Sequence, residues 1–274
     1  VVVPPLIILI IILYFKDLIK IKKYFLIGIL AFSLFASLLF IEPALLGGAR
    51  FKQTSSNQDR TLQAISQKYL SHFSYNFLFI QGDVNPRLSS QTGTFYKIDI
   101  IFLTVGIIAL IWGIIKGKKE YLIVLAWAII APIPSSVTTE APHAARAMFM
   151  TGSWHLIAAL GAYTIINAFK NKILKTTLIL VIVGVLSVSL VRYLQNYFGD
   201  YTERYAIEWQ YGMKQVVEFV GAHSEYDEVY MTPERQEPYI FYLFYLQTPS
   251  PVFLNSVRYN QTLSRPANTV ASYS

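Results

Sequence analysis

Ile98-Asp-Ile-Ile-Phe-Leu-Thr-Val-Gly-Ile-Ile-Ala-Leu-Ile-Trp-Gly-Ile-Ile115 is a long apolar run with a single acid near its start. Lys116-Gly-Lys118-Lys119-Glu120 follows it, and then a second apolar run, Tyr121–Ser135. The same alternation occurs twice more. Lys16, Lys20, Lys22 and Lys23 lie between Val1–Phe15 and Tyr24–Leu46, and Lys170, Lys172 and Lys175 lie around the boundary of Met148–Phe169 and Ile173–Phe198. Ten of the fourteen lysines fall in these three clusters and none of the nine arginines does. Short basic loops between apolar runs are the mark of a polytopic membrane protein whose lysine loops stay in the cytoplasm.

The composition agrees. The chain is 54% hydrophobic, with a mean hydropathy of +0.44, where a soluble domain is about 45–50% apolar. A spanning helix needs roughly 17–25 residues. On that scale the six runs predict a mainly α fold, a transmembrane bundle of about six spans over residues 1–198. The fourth run is short unless it continues through Ala131-Pro-Ile-Pro134, where a broken end is expected. Residues 199–274 are more polar and predict a small extracytoplasmic α/β domain, incomplete at its end, with helices over 206–222 and 237–247 and strands at 228–232 and 252–254. The first residue is Val1 and no basic leader precedes the first run, so the expectation is a fragment that lacks upstream spans.

With the lysines inside, the outward segments are 46–97, 136–147 and everything after residue 198. They hold most of the polar chemistry. Residues 59–73 predict an interfacial amphipathic helix, with Leu62, Ile65, Tyr69 and His72/Phe73 on one face. Phe77–Ile80 reads as strand-like and Gly82–Arg87 as a turn. The net charge of +7 suggests nucleic acid, but the clustered lysines sit at helix ends, where they set orientation and meet head groups. Nucleic acid is therefore rejected as a partner and the lipid bilayer taken instead. There are no cysteines, which removes thiol and zinc–thiolate chemistry. No phosphate-loop, dinucleotide or His-x-x-x-His pattern is present.

Glu140, His143 and Arg146 are three residues apart, a helical spacing that groups them at the entry of the fifth run. A helix N-terminus there, with Arg146 as a planar fork and His143 as a donor, suits an anion such as a lipid phosphate. The same residues equally describe a capped helix end with an arginine reaching head groups. Lys68, His72, Asp83, Asn85 and Arg87 offer a polar ligand such as a sugar a binding surface. Asp83, Asn85 and Arg87 also read as a turn satisfied by its own Asp and Asn. His155 lies within the fifth run, either bonded inside a bundle or relaying protons. Glu42 and Asp99, near the ends of their runs, are further carboxylates.

The strings His72-Phe-Ser74, Phe77-Leu78-Phe79, Gly82-Asp83-x-Asn85-Pro86-Arg87, Ala131-Pro-Ile-Pro134, Pro142-His143-x-x-Arg146 and Trp209-Gln-Tyr-Gly212 together resemble bacterial membrane glycosyltransferases of family 39. These are relatives of protein O-mannosyltransferases and of the lipid A aminoarabinose transferase. The likeness covers residues 69–245. It implies the GT-C fold and transfer of a sugar from a polyprenyl-phosphate donor to a glycan, lipid or protein acceptor at the outer face of a bacterial cytoplasmic membrane. It implies donor-phosphate binding by His143, Arg146 and Lys68, and substrate contacts by Asp83, Asn85, Arg87, Glu140 and His72. The family's catalytic carboxylate lies in an early outer loop that this chain does not contain, so the catalytic residue is unassigned and the chain alone is expected to be inactive. No cofactor is implied, and a divalent cation is left open. An O-antigen ligase or polymerase and a membrane transporter are the alternatives. The absence of an internal repeat weighs against the transporter.

Overall fold

The computed structural model describes residues 2–41, 61–223, 225, 228–232, 237–260 and 269–272. Glu42, residues 46–60 of the first polar segment (Asp59 and Arg60 among them) and the segment 261–268 lie outside the described residues. The chain divides into two compact units, Val1–Tyr197 and Phe198–Ser274.

The first unit is helical. Helices α1 (Val3–Lys20) and α2 (Lys22–Ile41) open it, and α3 (Leu62–Ser71) follows the undescribed segment. A π-helical turn, Asn76–Ile80, leads through a polar loop to α4 (Asp99–Ile115). Then come α5 (Lys119–Ile130), the short α6 (Ile133–Ser136), α7 (Phe149–Ala168) and α8 (Lys172–Phe198). The largest helix contact is α4 against α7, and α5 packs on both. Two glycines permit it. A Cβ on Gly106 would run into the carbonyl of Ile157, and one on Gly161 into the carbonyl of Phe102. The backbones approach where side chains are absent, the usual device where helices pack on small residues. Around this seam Phe102, Leu103, Leu110, Ala128, Met150 and Ile157 form one buried core, which Phe77, Leu78 and Phe95 extend.

The bundle of about six spans is not what forms. Among the described residues two helical stretches are long and apolar enough to cross a membrane, Phe149–Ala168 and Lys172–Trp209. The reasons differ by run. Helix α1 is interrupted by non-helical backbone at Tyr14 and carries Lys16, Asp17 and Lys20. Helix α4 is apolar but shorter. Helix α5 ends at Ile130 because Pro132 has no amide to continue the ladder. None of the apolar window of Lys172–Trp209 is buried. An exposed, apolar helix of that length points to association with a membrane.

Three local expectations also change. Phe77–Ile80 is not a strand but the π-helical turn, in which the amides of Gln81 and Gly82 both donate to the Asn76 carbonyl at 2.8 and 3.3 Å. Leu62 belongs to α3 but is exposed, so the buried face of that helix begins later. In the second unit, residues 228–232 pair with no strand among the described residues, and residues 252–254 are helical. Pro251, at the start of helix Ser250–Ser256, has a φ preset for the first turn. The unit consists of α9 (Asp200–Tyr205), a 3₁₀ turn at Ala206–Trp209, α10 (Met213–Ala222), α11 (Tyr239–Tyr245), α12 (Ser250–Ser256) and an antiparallel pair, β1 (Arg258–Asn260) with β2 (Thr269–Ser272). Tyr259 opposes Val270, and the register is irregular between Arg258 and Tyr259. Among the described residues the protein is mainly helical, with this one small sheet.

Candidate functional site

Helix α3, the loop after the π-turn and the segment 133–147 meet in the first unit, and there most of the singled-out residues come together. Thr61 starts α3, its hydroxyl accepting the Ala64 amide at 3.2 Å, a standard N-cap. From there Lys68 and His72, four apart, share a face. Tyr69 fixes the helix by donating its hydroxyl to the Ile129 carbonyl at 2.9 Å.

His72 is fully buried. Its Nδ1 lies 2.8 Å from the Lys68 carbonyl. A carbonyl only accepts, so Nδ1 carries the proton and Nε2 is the acceptor. Nε2 takes the Ser135 hydroxyl at 2.7 Å and the His143 amide at 3.4 Å. Burial holds the His72 pKa below the usual histidine range, against opposing backbone bonds and the Asp83 charge. Its neutral form therefore ties α3 to the 133–147 segment.

Asp83 follows Gly82, whose φ of +70° reverses the chain in a conformation that disfavours side chains. Only 3% of Asp83 is exposed. One carboxylate oxygen accepts the Asn85 amide at 2.9 Å and the other the Ala144 amide at 2.6 Å. Asn85 in turn accepts the Arg87 amide at 3.1 Å. Asn85 and the Arg87 backbone thus belong to a locally satisfied turn, while Asp83 reaches across to the second segment.

His143 accepts the Arg146 amide on Nδ1 at 3.2 Å, which places its proton on Nε2. Nε2 stands 3.8 Å from the exposed Glu140 carboxylate, and Nδ1 4.0 Å from Asp83. Both distances are too long for hydrogen bonds. Burial first, and then the Arg146 charge, lower the His143 pKa. Helical spacing does not create this grouping: α7 begins only at Phe149, and residues 144–148 form turns before it. The expectation of a helix N-terminus at Arg146 is corrected accordingly.

The two cations converge on one residue. Lys68 donates to the Thr138 carbonyl at 2.8 Å, and Arg146 Nη1 donates to the Thr138 hydroxyl at 2.9 Å and, more weakly, to the Glu140 carbonyl at 3.4 Å. All three acceptors are neutral groups, and they hold the two cations in place. Ser135 and Thr138 were not legible as site residues. Their only signal is position, directly after Pro132-Ile-Pro134.

Among the described residues no three His, Asp or Glu side chains converge as metal ligands. His155 bonds the Thr151 carbonyl of its own helix at 2.6 Å and packs on Phe95. Asp99 accepts the Tyr96 amide at 2.9 Å. In the second unit, Gln210, Tyr211, Gly212, Met213, Met231 and Phe241 contribute to a cleft of about 290 Å³. Set against protein-family models, curated proteins and solved structures, the chain matches none.

Proposed function

We propose that Lys68 and Arg146 bind the phosphate of a polyprenyl-phosphate-linked sugar, and that the protein is part of a membrane glycosyltransferase acting on that donor in a bacterial cytoplasmic membrane. The observation that carries the reading is the anchoring of a lysine and an arginine, distant in sequence, on the single buried residue Thr138. The buried carboxylate of Asp83 is committed to backbone amides. A planar guanidinium beside an ammonium suits a phosphate monoanion or diester. In sugar transfer the acceptor hydroxyl gives its proton to a general base and attacks the anomeric carbon, the bond from that carbon to the phosphate oxygen breaks, and the negative charge on the departing lipid phosphate grows. Fixed cations stabilise that change more than they stabilise the bound donor. The apolar stretches Phe149–Ala168 and Lys172–Trp209 suit a donor that stays in the bilayer.

The test uses the full chain in lipid nanodiscs, titrated with a polyprenyl phosphate, the matching polyprenol and inorganic phosphate. The expected order is polyprenyl phosphate well above the other two. Arg146→Ala weakens it by roughly ten- to hundredfold, the value of a charge-assisted hydrogen bond of about 1.5–3 kcal/mol. Arg146→Lys recovers part of the loss, because it keeps the charge and loses the fork. Unchanged binding by Arg146→Ala ends the phosphate reading.

A further inference from the structure

We infer that Thr138 is a positioning residue, which sets Lys68 and Arg146 at the spacing one phosphate requires. This rests on the phosphate reading above and names the residue on which its geometry depends. Thr138 is 6% exposed, so it is not itself a surface for a ligand. Its hydroxyl hydrogen has one near acceptor, the Ser135 carbonyl at 2.7 Å, with the Glu140 carbonyl farther at 3.2 Å. Once that hydrogen is committed, the oxygen lone pairs face the Arg146 Nη1 at 2.9 Å. The Thr138 carbonyl meanwhile accepts Lys68, and the Thr138 amide donates back to the Ser135 carbonyl at 3.1 Å.

Each contact removes a degree of freedom from a different partner. Ser135 is fully buried and bonded to His72 on α3, so Thr138 is referenced to the same helix that carries Lys68. The arginine is thereby held in register with the lysine through the chain α3–His72–Ser135–Thr138–Arg146. A hydroxyl is needed at 138 and the methyl is not: the backbone carbonyl serves Lys68 whatever the side chain, while only the hydroxyl serves Arg146. Long cationic side chains lose considerable rotamer freedom when fixed. Holding Arg146 before the ligand arrives reduces that cost at binding.

The experiment is a double-mutant cycle on the full chain in nanodiscs, with Thr138→Val, Thr138→Ser, Arg146→Ala and the Val/Ala double variant. The readouts are affinity for a polyprenyl phosphate, affinity for the matching polyprenol and the unfolding temperature. Thr138→Val is expected to weaken the phosphate probe about tenfold, the order of one hydrogen bond, and to leave the polyprenol unchanged. Thr138→Ser is expected to bind as the wild type does. In the double variant the Val change is expected to add nothing, because its effect acts through Arg146. Full additivity, or wild-type phosphate affinity in Thr138→Val while Arg146→Ala is impaired, overturns the role of Thr138 and leaves the phosphate site standing. Wild-type affinity in Arg146→Ala removes both. If Thr138→Val does not fold, Thr138→Ser decides: a loss of phosphate affinity beyond about threefold (roughly half a tenfold step in free energy) at an unchanged unfolding temperature overturns the inference.

Discussion

At the scale of single residues, the cluster is held by buried groups that bond between segments distant in sequence. Asp83 shows the cost of breaking one. Its carboxylate serves two backbone amides, Asn85 on its own loop and Ala144 across the site. Asp83→Ala leaves both amides without that acceptor and is expected to cost about 1.5–3 kcal/mol per charged bond at most. Asp83→Asn keeps one acceptor oxygen and recovers about half of the loss. Thermal unfolding of the three proteins in detergent checks this, and equal unfolding temperatures would remove Asp83 as a strut. His72 makes the stability depend on pH with a definite sign. Its native pKa is depressed by burial, so the unfolded chain takes up the proton first as pH falls. Stability from this residue is full above the unfolded value of about 6.5 and is lost as pH falls from there through the lowered native value. His143, lowered for the same first reason, adds in the same direction. The unfolding temperature of wild type is therefore expected to fall between neutral pH and about pH 5 (a window set by the ordinary histidine value) more steeply than that of His72→Gln. Parallel curves would place the titration elsewhere.

At the scale of elements, the α4–α7 seam positions the segments that carry the site, since α6 and the 137–147 loop enter α7 directly. Gly106 and Gly161 face carbonyls of the opposing helix too closely to admit a Cβ. Gly161→Ala is expected to force the helices apart and cost about 1–3 kcal/mol, the usual range for overpacking, with Gly106→Ala similar. Gly184, in α8, has open space around it, so Gly184→Ala serves as the control. It is expected to be neutral or stabilising by up to about 1 kcal/mol from helix propensity. Membrane abundance and unfolding temperature measured together separate the cases, and a tolerated Gly161→Ala would show that the seam is not close-packed. The apolar runs marked where helices lie, but they did not mark these contacts, because glycine in an apolar run carries no sign of the partner it will meet.

At the scale of the whole molecule, the two long apolar stretches predict how the protein partitions. Val183 and Val188 lie in the exposed part of α8. Val183→Asp with Val188→Asp is expected to disfavour insertion by about 2.5–3.5 kcal/mol per charge at the helix centre, which shifts protein from the carbonate-resistant membrane fraction toward the extractable one. Unchanged resistance to extraction would show that α8 does not span. The apolar runs by themselves determined that the chain is mainly helical and apolar enough for a membrane, because hydrophobic length is a local property that periodicity and composition report directly. The Asp83–Asn85 turn was legible for the same reason: short side chains bond amides two residues away. What only the tertiary structure decided is which helices are long enough to qualify as spans, and why Lys68 and Arg146 belong together. The first depends on where kinks, prolines and charges end each helix. The second depends on Thr138 and Ser135, ordinary hydroxyl residues that acquire a role only when His72, sixty-three positions from Ser135, is brought against them. That convergence arises from packing of distant segments, which no local pattern of residues records.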